Sequence, residues 1–433
     1  MVAITKPISL EDYPEEYKEL LSTLHLDEVG NYLKSDLIIV MVGLRSFNSL
    51  KRKRDKVVEV RKTVRSRMRL LVRMYLRFKV CYGSQDEVTL SDMLNNSGDM
   101  FRKETIFILN DAINDLCEKP NEETIQNSTS NQKSGLKVNI LNSLKLCAQI
   151  IIGHFTVKNE NERVSRINEF LNVLKLLENE FFGDAYYDLN YRRNRTLRKP
   201  INMPKDDDVQ ALMVECRNIM SSIDRLNIPS EEFVKIRSAV ATYLIIFCAR
   251  RGGEPVRLQL YQWDEAVKGE WTANKDIPED FDKESMLITF QTGKGSDHLV
   301  PVIFPDDCIE AMKYLTNKSI RSEAGVRPDN PYIFASTRNS KLHINGWHCI
   351  NDILKILNKT GTINATRNRH HVASLLAKLS LSEKDQELIF KHFGHSKSIN
   401  EHVYQAPPGS MQLTCTGKHL KAIHGLKEAG NGK

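Results

Sequence analysis

Apolar residues recur at helical spacing through most of the first half of the chain. Between Lys56 and Lys79 they fall at Val60, Val64, Met68, Leu71, Met74 and Tyr75, which predicts one long helix with a basic outer face. Similar stripes predict one or two helices over Thr89–Asn110, and further helices over Val138–Phe155 and Glu160–Phe182. Residues 1–35 are acidic and carry helix-sized apolar patterns. The polar stretch Asn121–Gly135, rich in Asn, Ser and Thr, reads as a loop.

The pattern changes after Asp188. The segment 188–204 is basic and holds Pro200 and Pro204, so it reads as a domain boundary. Beyond it, Asp206, Asp207 and Asp208 suit a helix N-terminus, and Val209, Leu212, Met213, Cys216, Ile219, Met220 and Ile223 form an apolar stripe. Phe233–Ala249 reads as a more hydrophobic, buried helix. Met286–Phe290 and Leu299–Phe304 read as strands around a Gly-rich turn, a hairpin pattern. Tyr332–Ala335 reads as a short extended piece. Helices are expected over Gly346–Leu357, Arg369–Leu379, Glu383–His392 and, in the tail, Gln412–Leu426. The fold class this predicts is mainly α with a small antiparallel sheet. The expected divisions are an extension over 1–35, a helical domain over 36–187, a basic linker over 188–204, a second domain over 205–410 and a tail over 411–433.

Composition narrows the classes. A chain of 433 residues exceeds one ordinary core, and 41% hydrophobic residues suffice for globular packing. No apolar run approaches the ~20 residues that span a bilayer, so no membrane partner is expected. The N-terminus lacks the basic-then-apolar order of a signal peptide. The eight cysteines form no CxxC pair, which argues for reduced thiols and against a zinc site. The formal net charge of +7 is mild, but it is clustered. Lys51, Arg52, Arg54 and Lys62 lie in one basic run, and Arg192, Arg193 and Arg195 in another. Both suit a polyanion such as double-stranded DNA. Lys51–Lys56 (KRKRDK) also fits a nuclear-localisation pattern.

The candidate chemistry lies in five separated motifs. Arg251 stands in ARRGGE, three residues before Glu254, which is placed to hold its guanidinium; Arg250 competes for the same role. Lys294 stands in TGKG between the two strands. Arg369 stands in TRNRHH, His395 in FGHS, and Tyr404 nine residues later. Each motif alone has an ordinary structural explanation: a surface ion pair, a turn lysine, a half-buried tyrosine. In this order, over Met203–Gln405, they resemble the catalytic domain of the tyrosine recombinases, the phage-integrase family.

The resemblance implies a tyrosine-recombinase catalytic domain preceded by a helical DNA-binding domain, the two clamping DNA. It implies Tyr404 as nucleophile, Arg251 and Arg369 as phosphate clamps, and Lys294 as general acid for the leaving 5′-hydroxyl. His395 would hydrogen-bond the phosphate. Strands would be cut and rejoined through a 3′-phosphotyrosine link, with neither metal nor cofactor, by a homotetramer on two duplexes. The sequence departs from the family's HxxR pattern at its first position, which is Thr366; a general acid–base group contributes on the order of 10²–10⁴ in rate, so activity is in question. His370 and His371 read as packing or surface residues. A mobile element of a eukaryote, Crypton-like, acting in the nucleus, is the expected source. The alternatives are a domesticated DNA-binding relative that no longer cuts, a type IB topoisomerase, and a helical interaction protein with accidental matches.

Overall fold

The structure is a computed structural model that describes residues 13–53, 56–84, 96–118, 132–197, 199–223, 230–272, 286–293, 298–379, 381–406, 409 and 412–423. The chain forms two compact units, Met1–Arg192 and Arg193–Lys433.

The first unit is helical among its described residues: α1 (Glu15–Ser22), α2 (Glu28–Ser35), α3 (Leu37–Leu50), α4 (Val57–Gly83), α5 (Ile106–Cys117), α6 (Ser134–Val157), α7 (Asn161–Leu176) and α8 (Glu178–Arg192). The long basic helix is α4, and its stripe Val60, Val64, Met68, Leu71, Met74, Tyr75 and Phe78 is buried against α2, α3, α5 and α6. Residues 15–35, set apart in the sequence as an extension, contribute Tyr17, Leu20 and Leu33 to this same core. Asp36 caps α3 through the amides of Ile38 and Ile39 and also accepts from the Ser97 amide at 2.8 Å, tying two distant turns together.

Three expectations need correction here. The stripe over Glu160–Phe182 is two helices, broken at Leu177 where the chain turns without losing its apolar phase. The helix expected over Thr89–Asn110 starts only at Ile106, because Asn96 caps a tight 3₁₀ turn over Ser97–Phe101 instead; residues 89–95 lie outside the described residues. Helix α6 is long and apolar enough to cross a membrane by length and composition. It contributes Ile140, Leu144 and Ile151 to the core, and its Lys137 is ion-paired to Asp184 at 3.0 Å.

The second unit is built around α10 (Ser230–Phe247), which buries twelve consecutive or nearly consecutive positions from Phe233 to Ile246. Around it lie α9 (Asp206–Ser221), α11 (Leu260–Val267), α12 (Ile309–Thr316), α13 (Lys318–Glu323) and α14 (Gly346–Ile356). The expected hairpin is present: β1 (Met286–Thr292) pairs antiparallel with β2 (Leu299–Pro305) in the register Thr289↔Val302. Val300, Val302 and Phe304 point inward, and Trp263 of α11 meets Phe304 edge-on at 5.2 Å. Tyr332–Ala335 makes isolated bridges and joins no sheet. The fold is mainly α with a two-stranded antiparallel sheet, as the periodicity predicts.

After α14 come α15 (Ala365–Leu376), α16 (Glu383–Phe393), the short α17 (Lys397–Ile399) and a π turn over Asn400–Tyr404. Arg369 does not open its helix. The Asn364 side chain accepts from the Arg367 amide and starts α15 a turn earlier. The tail holds α18 (Gly417–Ile423), with Leu413, Leu420 and Ile423 exposed.

Candidate active site

Two helices end in the same way, and their ends make the site. After α10 the chain passes through Ala249 at φ +46, with the Ala249 amide on the Ile246 carbonyl and the Arg250 amide on the Ile245 carbonyl. After α16 it passes through Gly394 at φ +67, with the His395 amide on the Phe390 carbonyl at 3.2 Å. Both are left-handed C-terminal caps. The first uses alanine where glycine is usual, a strained choice that carries no sequence signal. The second residue of each cap, Arg250 or His395, is thereby thrown into the site.

The carbonyls at these helix ends carry the negative pole of each helix, and side chains from across the unit cap them. Asn368 donates to the Ile246 carbonyl at 2.9 Å and Arg369 to the carbonyls of Ala249 and Phe393. Arg250 donates to the His392 carbonyl, and the His392 ring nitrogen bonds the Cys248 carbonyl at 2.8 Å. Beneath them Ala249, Ala373 and Phe393 form a small apolar floor, with Tyr404 packed against it.

Tyr404 lies in the middle of this arrangement. Its ring stacks on His395 with centroids 4.8 Å apart and planes 10° from parallel. The Arg369 guanidinium sits over the ring at 4.9 Å, and Arg251 lies within electrostatic reach of the tyrosine. Arg251 is in turn held by Glu254 at 3.1 Å. The structure therefore brings together Arg251, Glu254, Arg369, His395 and Tyr404.

The electrostatics follow from burial. Glu254 is buried, which favours its neutral form, but Arg250 and Arg251 overcome this and hold it below its ordinary value. Burial pulls Arg251 down, and Glu254 and Tyr404 more than offset it, so it is raised. Burial takes Arg369 down to about 10 despite Tyr404, and its Nε has no hydrogen-bond partner. Burial and then Arg369 bring His395 down to about 4, so its imidazole is neutral at pH 7, and neither ring nitrogen has a well-formed partner. Two guanidiniums thus share one carboxylate, a third lies over the tyrosine ring, and unpaired nitrogens remain beside that ring. Such a set accepts an anion with several oxygens.

Other expectations fare differently. Lys294 and Arg54 lie outside the described residues. Gly293 and His298, on either side of residues 294–297, are described, and Val300 and His298 pack against Gly394. Thr366 is exposed on the first turn of α15. His370 does not point away from the tyrosine. It is buried, its ring lies 5.1 Å from that of Tyr404, and its Nδ1 meets the Tyr404 carbonyl at 2.8 Å. His371 pairs with Asp206 at 2.9 Å. Lys51, Arg52, Lys62, Arg192, Arg193 and Arg195 are all exposed. Much of the remaining charge on α4 is spent internally: Arg61 pairs with Glu19 at 2.7 Å, Arg69 with Asp27 and Arg77 with Asp115. Sequence reasoning missed His392 and gave Arg250 only as a competitor of Arg251. The signal for the separate role of Arg250 is Glu254 four residues on.

No protein-family model matches the sequence, and no curated protein matches it at a significant level. Two solved structures are similar at low identity. One is XerH site-specific recombinase bound to palindromic difH substrate in a post-cleavage complex, 13% identical, with TM-score 0.35 over 82% of this chain and 96% of that one. The other is XerA recombinase, 16% identical, with TM-score 0.29 over 83% and 99%. Both likenesses are too distant to bear on the residues above.

Proposed function

We propose that the second unit is a phosphoryl-transfer centre that uses Tyr404 as its nucleophile. More particularly, it is the catalytic domain of a tyrosine recombinase acting on double-stranded DNA. The observation that carries the reading is the set around Tyr404: a ring over which Arg369 sits, a His395 stacked on it, and an Arg251 held by Glu254 within electrostatic reach. The tyrosine oxygen attacks phosphorus as its proton passes to water. The bond to the 5′ oxygen breaks, and that oxygen takes a proton from Lys294. The product is a 3′-phosphotyrosine and a free 5′-hydroxyl. A second strand's 5′-hydroxyl reverses the step, so the link conserves the bond without ATP. Fixed positive charge at the phosphoryl oxygens stabilises the charge that develops there.

Covalent trapping tests this. The protein is incubated with nicked duplexes of random sequence whose cleaved end diffuses away, and then denatured. A protein–DNA adduct that Tyr404→Phe abolishes is expected. An adduct that survives the substitution refutes the assignment.

A second reading, a DNA-binding relative with weakened cleavage, is favoured by Thr366 at the position of the family's histidine. It expects salt-sensitive binding without an adduct, and an adduct regained in Thr366→His. A monomer that relaxes supercoils without site preference would instead place the chain with type IB topoisomerases. The proposal extends to a homotetramer on two duplexes, a eukaryotic mobile element as source and a nuclear setting. Sedimentation of the DNA complex tests the first. Imaging a tagged chain with Lys51 to Lys56 substituted tests the last.

A further inference from the structure

We infer that Arg250 is a positioning residue that keeps this site cationic. It takes up the charge of Glu254 from the inside, frees Arg251 to face the anion at Tyr404, and holds the turn that carries His395. The inference rests on the phosphoryl-transfer reading and adds a residue that never touches the substrate.

The geometry is specific. Glu254 stands three residues after Arg251 and four after Arg250, so one turn presents its carboxylate to both. Oε2 meets Arg250 Nε at 3.0 Å and Nη2 at 2.9 Å, while Oε1 meets Arg251 Nη1 at 3.1 Å. The Arg250 side chain is 0% exposed and that of Arg251 35%. The two neighbours therefore have different tasks. Arg250 is spent wholly inward, on Glu254 and on the His392 carbonyl. Arg251 keeps a face toward the tyrosine.

Without Arg250, a buried Glu254 would be left with Arg251 alone. That pair would be formally neutral, and Arg369 would be the one surplus guanidinium. With Arg250 there are three guanidiniums to one carboxylate, a surplus of two. A phosphodiester carries one negative charge and gains a second as the nucleophile adds, so the surplus matches the reacting group rather than the resting one. The same side chain sets the end of α16, from which the Gly394 turn delivers His395. A buried ion pair that served stability alone would need no such match.

Charge rescue separates these roles. Arg250→Gln, Glu254→Gln, the double variant and Arg250→Lys are made in the full chain. Each is titrated with inorganic phosphate, read through the ring resonance of His395 in protein with isotope-labelled histidine, and melted to check folding. Arg250→Gln is expected to weaken phosphate about tenfold or more, and the double variant to return within about threefold of the parent, because the lost charge and the carboxylate it neutralised go together. Arg250→Lys is expected to keep most of the affinity. Additive losses in the double variant, or unchanged affinity in folded Arg250→Gln, overturn the inference. If Arg250→Gln does not fold, Glu254→Gln decides: unchanged or tighter phosphate binding supports the inference, and weakening of about tenfold or more overturns it. A parent protein that binds no phosphate at this site overturns the phosphoryl-transfer reading as well, which the additive result does not.

Discussion

Gly394→Ala is a sharp test of how the site is held. Gly394 ends α16 at φ +67 and ψ 42, and an added Cβ would lie 2.9 Å from Val300 Cγ1 and 3.0 Å from His298 Nε2. The left-handed conformation costs an alanine about 1–2 kcal/mol. Crowding against the inward face of β2 adds about 1–3 kcal/mol. Together they predict a loss of about 2–5 kcal/mol, a large part of a typical stability. All three tryptophans, Trp263, Trp271 and Trp347, belong to the second unit, so tryptophan emission during urea denaturation of the full chain follows that unit alone. Gly394→Asn divides the two causes, since asparagine tolerates the left-handed region but still carries a Cβ. It should recover the conformational part and leave the crowding. Any relaxation that makes room must also move His395, so adduct formation should fall along with stability. A loss under about 0.5 kcal/mol in Gly394→Ala refutes the reasoning, because neither the cap nor the packing against the hairpin would then matter.

Further outcomes follow from the same geometry. Arg369→Lys keeps a charge but not the fork that bonds the Ala249 and Phe393 carbonyls, so adduct yield should drop about a hundredfold while duplex binding persists; equal yield would contradict the assignment. His395 is held at about 4 by burial and then by Arg369, so the unfolded chain binds a proton first as pH falls below 6.5. Stability attributable to this group is complete above pH 6.5 and is lost between pH 6.5 and 4, by about 1–2 kcal/mol after discounting for partial exposure. His395→Gln should flatten that part of the profile, and an unchanged slope would be the contrary result. In the first unit, Asp36→Ala removes the cap of α3 and the bonds to Ser97, at a cost of about 2–4 kcal/mol. Hydrogen exchange of α3 should rise while tryptophan emission stays as it is.

How far the sequence reveals this arrangement depends on where the information lies. Val60 to Tyr75 and Val209 to Ile223 repeat at helical spacing, and α4 and α9 follow them. The hairpin follows from alternation around glycines. Helices α11, α12 and α13 are too short, at eight, eight and six residues, to establish a period, so they were not anticipated. Leu177 breaks one stripe into two helices without a proline or glycine to mark it. The start of α15 is expected a turn too late, at Arg369, although Asn364 is an ordinary capping residue that marks the observed start. At the site, Tyr404, His395, Arg369, Arg251 and Glu254 were legible as residue types in order. What joins them was not. Ala249 adopts a conformation that alanine seldom does, and nothing in its neighbours announces that. The bond from Arg250 to the His392 carbonyl spans 142 positions. His370 packs as one of its two readings expects, but its bond to the Tyr404 carbonyl is not legible from spacing.

That long span has a bearing on synthesis. The Arg250–Glu254 turn leaves the ribosome well before the segment that completes it. Arg369 must reach back 120 positions to Ala249, and the end of α16 must reach back further still. Such contacts close large loops and form late. On the proposed function, a nascent chain that has not reached residue 404 holds the clustered arginines of the site without the group that would attack phosphorus. With the tyrosine last among the site residues, strand cleavage would on that reading belong only to a chain extended past Tyr404.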